Sequence, residues 1–175
     1  MRGRERIASV NRSTSSMGVA LPALPMQETT LVRFIRIAAA SMGAYFEPHF
    51  TAMGLTEQSF HVLCLLLAAP KGQASPSELA DMVGTSRANM TRILEQLTKA
   101  GLIIRASEAR DARRQAIALT ESGRRLAMDT SEGISAPLSR AFAGLTTAER
   151  ATLETLLRKT IISFDDGALQ LDAIA

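Results

Sequence analysis

The sequence predicts a mainly α-helical fold with one small β-hairpin, and three observations carry that prediction. Apolar residues recur at spacings of three and four along most of the chain from Glu28 onward, the period of an amphipathic helix. One stretch breaks the period. "LIIRAS" and "QAIALT" are β-prone and flank the Arg-rich turn of "SEARDARRQAIALT", residues 107–120, which reads as a hairpin. Finally, 46% of residues are apolar but only 4% aromatic, with no Trp. A core of Leu, Ile, Ala and Met suits helices packed on helices better than a β-sandwich.

At 175 residues the chain is long enough for one well-packed domain and short for two. The formal charge of +3 permits nucleic acid or an acidic surface as partner without choosing between them. Cys64 is the single cysteine, which excludes an internal disulfide framework and fits a reducing compartment. No apolar run approaches the ~18 residues that would span a bilayer. The first 26 residues carry early arginines and a short apolar part broken by Pro22 and Pro25, unlike a secretory signal. Residues 1–26 are therefore expected to be a disordered basic tail, the chain cytoplasmic and no membrane its partner.

The first helix is expected from Glu28, with Leu31, Ile35, Ala38, Met42 and Phe46 on one stripe and Pro48 and Gly54 loosening its end. In "GLTEQSFHVLCLLLAAP" Thr56 is an N-cap and Pro70 a stop. Phe60, Leu63, Cys64 and Leu67 face one side and Val62, Leu65 and Leu66 the other, so this helix is central. "ASPSELADMVG" holds a capping box, Ser75 to Glu78, with Pro76 at the first helical position and Gly84 at the end. Only a tight turn separates it from "SRANMTRILEQLTKAG", capped by Ser86 and terminated by Gly101. Two short helices joined through a Gly-containing turn form a helix-turn-helix. Met90, Ile93, Leu94 and Leu97 make its buried stripe, so Ala88, Arg92, Glu95 and Lys99 face outward with Arg87, Asn89 and Thr91 on the flanks. After the hairpin, Thr120 caps a long helix in which Gly133 and Pro137 are expected bends. Thr146 and Glu149 form a second capping box ahead of a last helix. The final "DDGALQLDAIA" has no clear period.

A helix-turn-helix followed at once by a hairpin is a winged helix-turn-helix. A helix in the major groove leaves the adjacent minor groove open to a hairpin tip, and arginine suits that narrow, electronegative groove. Asp111 beside Arg113 would hold and aim the guanidinium through a charge-assisted bond. The run from Ser75 to Thr120, with "SELADMVGTSRANMTRILEQLTKAGLIIR", the wing "DARRQAIALT" and "LTESGRRL", resembles the MarR (multiple-antibiotic-resistance regulator) family of bacterial transcription factors. The resemblance covers about Glu28 to Phe164 and leaves the first 26 residues outside the family pattern.

The resemblance implies a homodimer built by the first and last helices, with two recognition helices on a palindromic operator of double-stranded DNA. It implies DNA contacts from the recognition-helix start, Ser86, Arg87, Ala88, Asn89, Thr91 and Arg92, and from the wing, Asp111, Arg113 and Arg114. It also implies a small-molecule effector, phenolic or otherwise anionic, between the dimer helices and the DNA-binding lobe. The expected layout is a tail at 1–26, dimerisation helices at 27–55 and 120–164, the winged lobe at 56–119 and a C-terminal tail at 165–175.

Each residue also has a plainer reading. The wing arginines could be a solvated charge cluster, and the polar residues of the recognition helix ordinary surface. Cys64 shares a face with Phe60, Leu63 and Leu67, where a thiol stays protonated and fills space. His49 and His61 fall near the expected junction of the lobes. They are either ordinary partly buried histidines or ligand contacts. Two His and one Cys without ligand spacing argue against a metal. No phosphate loop, nucleophile elbow or paired-carboxylate cleft is present, so no catalytic residue, cofactor or enzyme activity is expected. The reading is a dimeric, sequence-specific regulator, a repressor because blocking a promoter requires only occupancy. Its rivals are an architectural duplex-DNA-binding protein and a winged-helix protein-interaction module.

Overall fold

The computed structural model describes residues 3–108 and 111–172, and the side chains of residues 106–108, 111–115 and 167–172 lie outside that description. The chain divides into two compact units, residues 1–130 and 131–175.

The first unit opens with a correction. Gly3–Ala20 form a helix, α1, where a disordered tail was expected. Its polar sequence cannot hold a helix in water alone, and its partner is α2 (Met26–Ala52). Val10 is buried between them at 2% exposure. Arg33 of α2 reaches across to Ser13 Oγ at 2.6 Å and Thr14 Oγ1 at 3.0 Å, and Arg6 donates to Ser41 Oγ at 2.9 Å. α2 runs through Pro48 and ends at Ala52, just before Gly54, within the segment expected for it. Phe46 and Phe50 on either side of that proline are buried. The Phe50 ring lies 5.4 Å from Phe60, so packing offsets the lost backbone hydrogen bond.

α3 (Glu57–Ala68) starts at Thr56, whose hydroxyl accepts from Ser59 N at 3.1 Å. Val62, Leu63 and Leu66 are fully buried, while Cys64, Leu65 and Leu67 are half-buried. This is the central helix expected. β1 (Gln73–Ala74) follows, then α4 (Pro76–Val83), whose Ser75–Glu78 capping box forms in both directions. α4 ends at Gly84 with φ 70°, a left-handed turn that opens the way to α5 (Arg87–Lys99). Ser86 caps α5, and Met90, Ile93, Leu94 and Leu97 are its buried stripe.

β2 (Ile103–Glu108) and β3 (Asp111–Leu119) form the antiparallel hairpin. β1 pairs with the far edge of β3, Gln73 opposite Ala118 and Ala74 opposite Ile117, giving the order β1-β3-β2. Two residues carry no period, so β1 is invisible in the sequence. Ile103 and Ile117 turn their side chains into the core beside α3 and α5. The hairpin base is tied to α6 (Glu121–Ala141) through one residue. Thr120 N donates to the Leu102 carbonyl at 3.0 Å, its hydroxyl donates to Gly101 O at 2.7 Å, and the same oxygen accepts from Gly123 N at 3.0 Å.

α6 runs through Gly133 and Pro137 without a break. In the second unit, α7 (Thr147–Asp172) begins at the expected Thr146–Glu149 box. It extends past Phe164, so helix replaces most of the tail expected at 165–175.

Candidate nucleic-acid interface

The turn at Gly84 and the cap at Ser86 set which face of α5 looks outward. Ser86 Oγ accepts from Asn89 N at 3.2 Å, fixing the first turn. With four apolar side chains holding the inner face, Ser86, Arg87, Ala88, Thr91 and Arg92 are exposed, as are Glu95 and Lys99. Thr91 is not free: its hydroxyl donates to the Arg87 carbonyl at 3.0 Å. Arg87 and Arg92 lie five residues apart, about 1.4 turns of helix, and both are exposed, as is Ala88 between them.

Asn89 differs from its neighbours. It is half-buried, and its amide donates to Gln58 Oε1 at 2.9 Å and Thr85 Oγ1 at 2.8 Å. Its carbonyl oxygen accepts from Arg92 Nη2 at 2.7 Å. The outward flank position expected for Asn89 is therefore turned partly inward, onto α3 and the turn. Gln58 and Thr85 were missed by the sequence reading. A Gln in the first turn of a helix looks like solvated surface, and only the packing of α3 on α5 reveals its partner.

On the wing, the backbone of Asp111, Arg113 and Arg114 belongs to β3. Their side chains, and the expected aiming of Arg113 by Asp111, lie outside the described residues.

The other candidates stay apart. His49 is half-buried with its ring 5.9 Å from Tyr45, and His61 is exposed beside Phe60 at 6.4 Å. No hydrogen bond or ring contact joins the two histidines among the described residues. Burial pushes the Cys64 thiol above its ordinary pKa, so it stays protonated at neutral pH. Among the described residues no His, Cys, Asp or Glu group is placed to hold a metal ion, and no single helix is long and apolar enough to cross a membrane.

A capped helix behind a left-handed turn, with two outward arginines and a hairpin directly after it, is the arrangement the resemblance anticipated. The chain matches the MarR family model over residues 53–114. It is 30% identical over 141 residues to the transcriptional repressor MprA of Escherichia coli K12, covering 81% of this chain and 80% of that protein. The chain belongs to the MarR family. Its curated MarR-family relatives are transcriptional regulators rather than enzymes; another, PrsX of Escherichia coli, is 29% identical over 145 residues, covering 83% of this chain and 87% of that one. Among solved MarR-like structures, Sco3205 of Streptomyces coelicolor in complex with DNA superposes at a TM-score of 0.73, with 22% identity, 79% of this chain and 88% of that one. At that identity it supports the fold alone. Bordetella bronchiseptica BpsR, whose DNA binding is regulated by 6-hydroxynicotinic acid, superposes at 0.66 with 26% identity over 74% of this chain and 97% of that one. Mostly helical, with a three-stranded antiparallel sheet forming the wing, the chain has the MarR winged-helix fold.

Proposed function

We propose that this MarR-family chain acts as a homodimeric, sequence-specific repressor in the cytoplasm, binding a palindromic operator and released by a small-molecule effector. The observation that supports it best is the exposed start of α5, where Arg87, Ala88, Thr91 and Arg92 face outward beside the hairpin. In this reading α5 enters the major groove, Ser86 and Thr91 touch phosphate, and Arg87 and Arg92 reach base edges. Asp111, Arg113 and Arg114 belong to the wing contact on the strength of the resemblance. Effector response rests on the likeness to BpsR. His49 and His61 are its candidate contacts.

The test is selection of bound fragments from a genomic library, followed by fluorescence anisotropy on the recovered site. The reading expects a two-fold symmetric site with half-sites about 10 base pairs apart and binding at least 10³-fold tighter than to random duplex. A ratio near one would make the chain an architectural protein. No binding at low salt would favour a protein-interaction module.

A further inference from the structure

Asn89 occupies a position from which an amide could read adenine, yet all its polar capacity facing the protein is already used. Its two N–H groups go to Gln58 Oε1 and Thr85 Oγ1, and its oxygen takes a hydrogen from Arg92. The orientation is chemically determined. Arg92 fixes it: a flipped amide would turn its N–H groups toward a guanidinium, which has no acceptor. The contacts therefore converge on Asn89, from α3 (Gln58) and from the turn (Thr85), and lead out to an exposed arginine on α5. The bonds Asn89 makes to Gln58 and Thr85 are part-buried, whereas the last bond to Arg92 is exposed. A part-buried network stays rigid while its outer member faces the ligand.

We infer that Gln58 and Asn89 are positioning residues that aim Arg92 at its DNA target, and that Asn89 is not itself a base reader. This rests on the proposed operator binding. An unrestrained Arg samples many rotamers and loses that freedom on binding. Holding Nη2 at 2.7 Å from a fixed oxygen leaves the outer edge of the fork presented in one direction. The network also couples the recognition helix to α3, so the aim of Arg92 depends on a residue 34 positions away in sequence, at the start of the central helix (92 − 58).

The experiment is a double-mutant cycle on the full chain. Operator and random-duplex affinities are measured for wild type, Gln58→Met, Arg92→Ala and the double variant, with base preferences mapped by site selection. Gln58→Met keeps length and removes the acceptor. It should weaken operator binding roughly three- to ten-fold, leave random-duplex binding unchanged, and have no further effect once Arg92 is Ala. Asn89→Ala should relax preference at the same base pair as Arg92→Ala. Additive losses in the cycle, equal losses on random duplex, or relaxation by Asn89→Ala at a different base pair would each overturn the inference. Operator preference in wild type with an additive cycle removes only the aiming role. Absence of any sequence preference in wild type removes the regulator reading and this inference with it.

Discussion

Gly123 sits in the first turn of α6, where a Cβ would overlap the Leu102 carbonyl. The missing side chain lets the helix start against the hairpin base, where Thr120 bonds Gly101, Leu102 and Gly123 together. Backbone cannot move aside as a flexible side chain can. Gly123→Ala should therefore destabilise the chain by about 1–3 kcal/mol in urea titration, despite the better helix propensity of Ala. Unchanged stability would mean that α6 can shift without cost. At the wing, Arg113→Ala should weaken operator binding by roughly 1–3 kcal/mol, the scale of one good groove contact. In the proposed wing contact the side chain serves DNA and not the core, so the fold should survive with a stability change within about 0.5 kcal/mol. Asp111→Ala separates two accounts of the wing. A generic charge cluster would bind DNA more tightly without the carboxylate, whereas an aimed probe would bind more weakly. Anisotropy at fixed salt reads the sign.

Helix ends are where whole elements depend on one or two side chains. The α7 cap holds Glu149 against Thr146 N at 2.7 Å and Thr146 Oγ1 at 2.8 Å. Accepting first the backbone and then the hydroxyl hydrogen bond lowers the Glu149 pKa below its ordinary value. The sign of the pH effect follows. A carboxyl with a depressed folded pKa stabilises above its unfolded pKa and loses that contribution as pH falls through the lower folded value. The thermal-stability gap between wild type and Glu149→Ala should thus be constant at neutral pH and close in the acid range below an ordinary Glu. A gap independent of pH would assign the effect to helix propensity instead. α1 depends on a different device, the Arg33 fork onto Ser13 and Thr14. That clamp turns residues expected to be loose into a helix docked on α2.

At the scale of the whole molecule, apolar surface is left over. Leu31, Ile35 and Met42 on α2 are exposed, and so are Leu153, Leu157, Ile161 and Phe164 on α7, Ile161 at 59%. Large side chains at spacings of three and four on a helix that covers none of them mark an unfilled interface. The dimer reading expects a second copy to cover them. Leu157→Asp with Ile161→Asp should give a monomer by analytical ultracentrifugation at micromolar concentration and abolish operator binding, because each half-site alone is too weak. The helices themselves should persist by circular dichroism. A wild-type monomer at those concentrations would remove the dimer from the proposal.

What the sequence determined by itself was local. Each N-cap it indicated, at Thr56, Ser75, Ser86, Thr120 and Thr146, forms between residues three apart, and such bonds are written in nearby letters. The winged helix-turn-helix was legible for the same reason, as a succession of short signals with fixed punctuation. The tertiary structure decided the rest, where partners lie far apart along the chain. The fate of residues 3–20 hangs on Arg33 reaching back across 19 and 20 positions. β1 exists only because β3 offers it an edge. Asn89 became a strut because Gln58, 31 residues earlier, faces it. Period and propensity describe what a segment can form in isolation. Whether a polar side chain points to solvent or closes a contact depends on the neighbour that folding brings beside it.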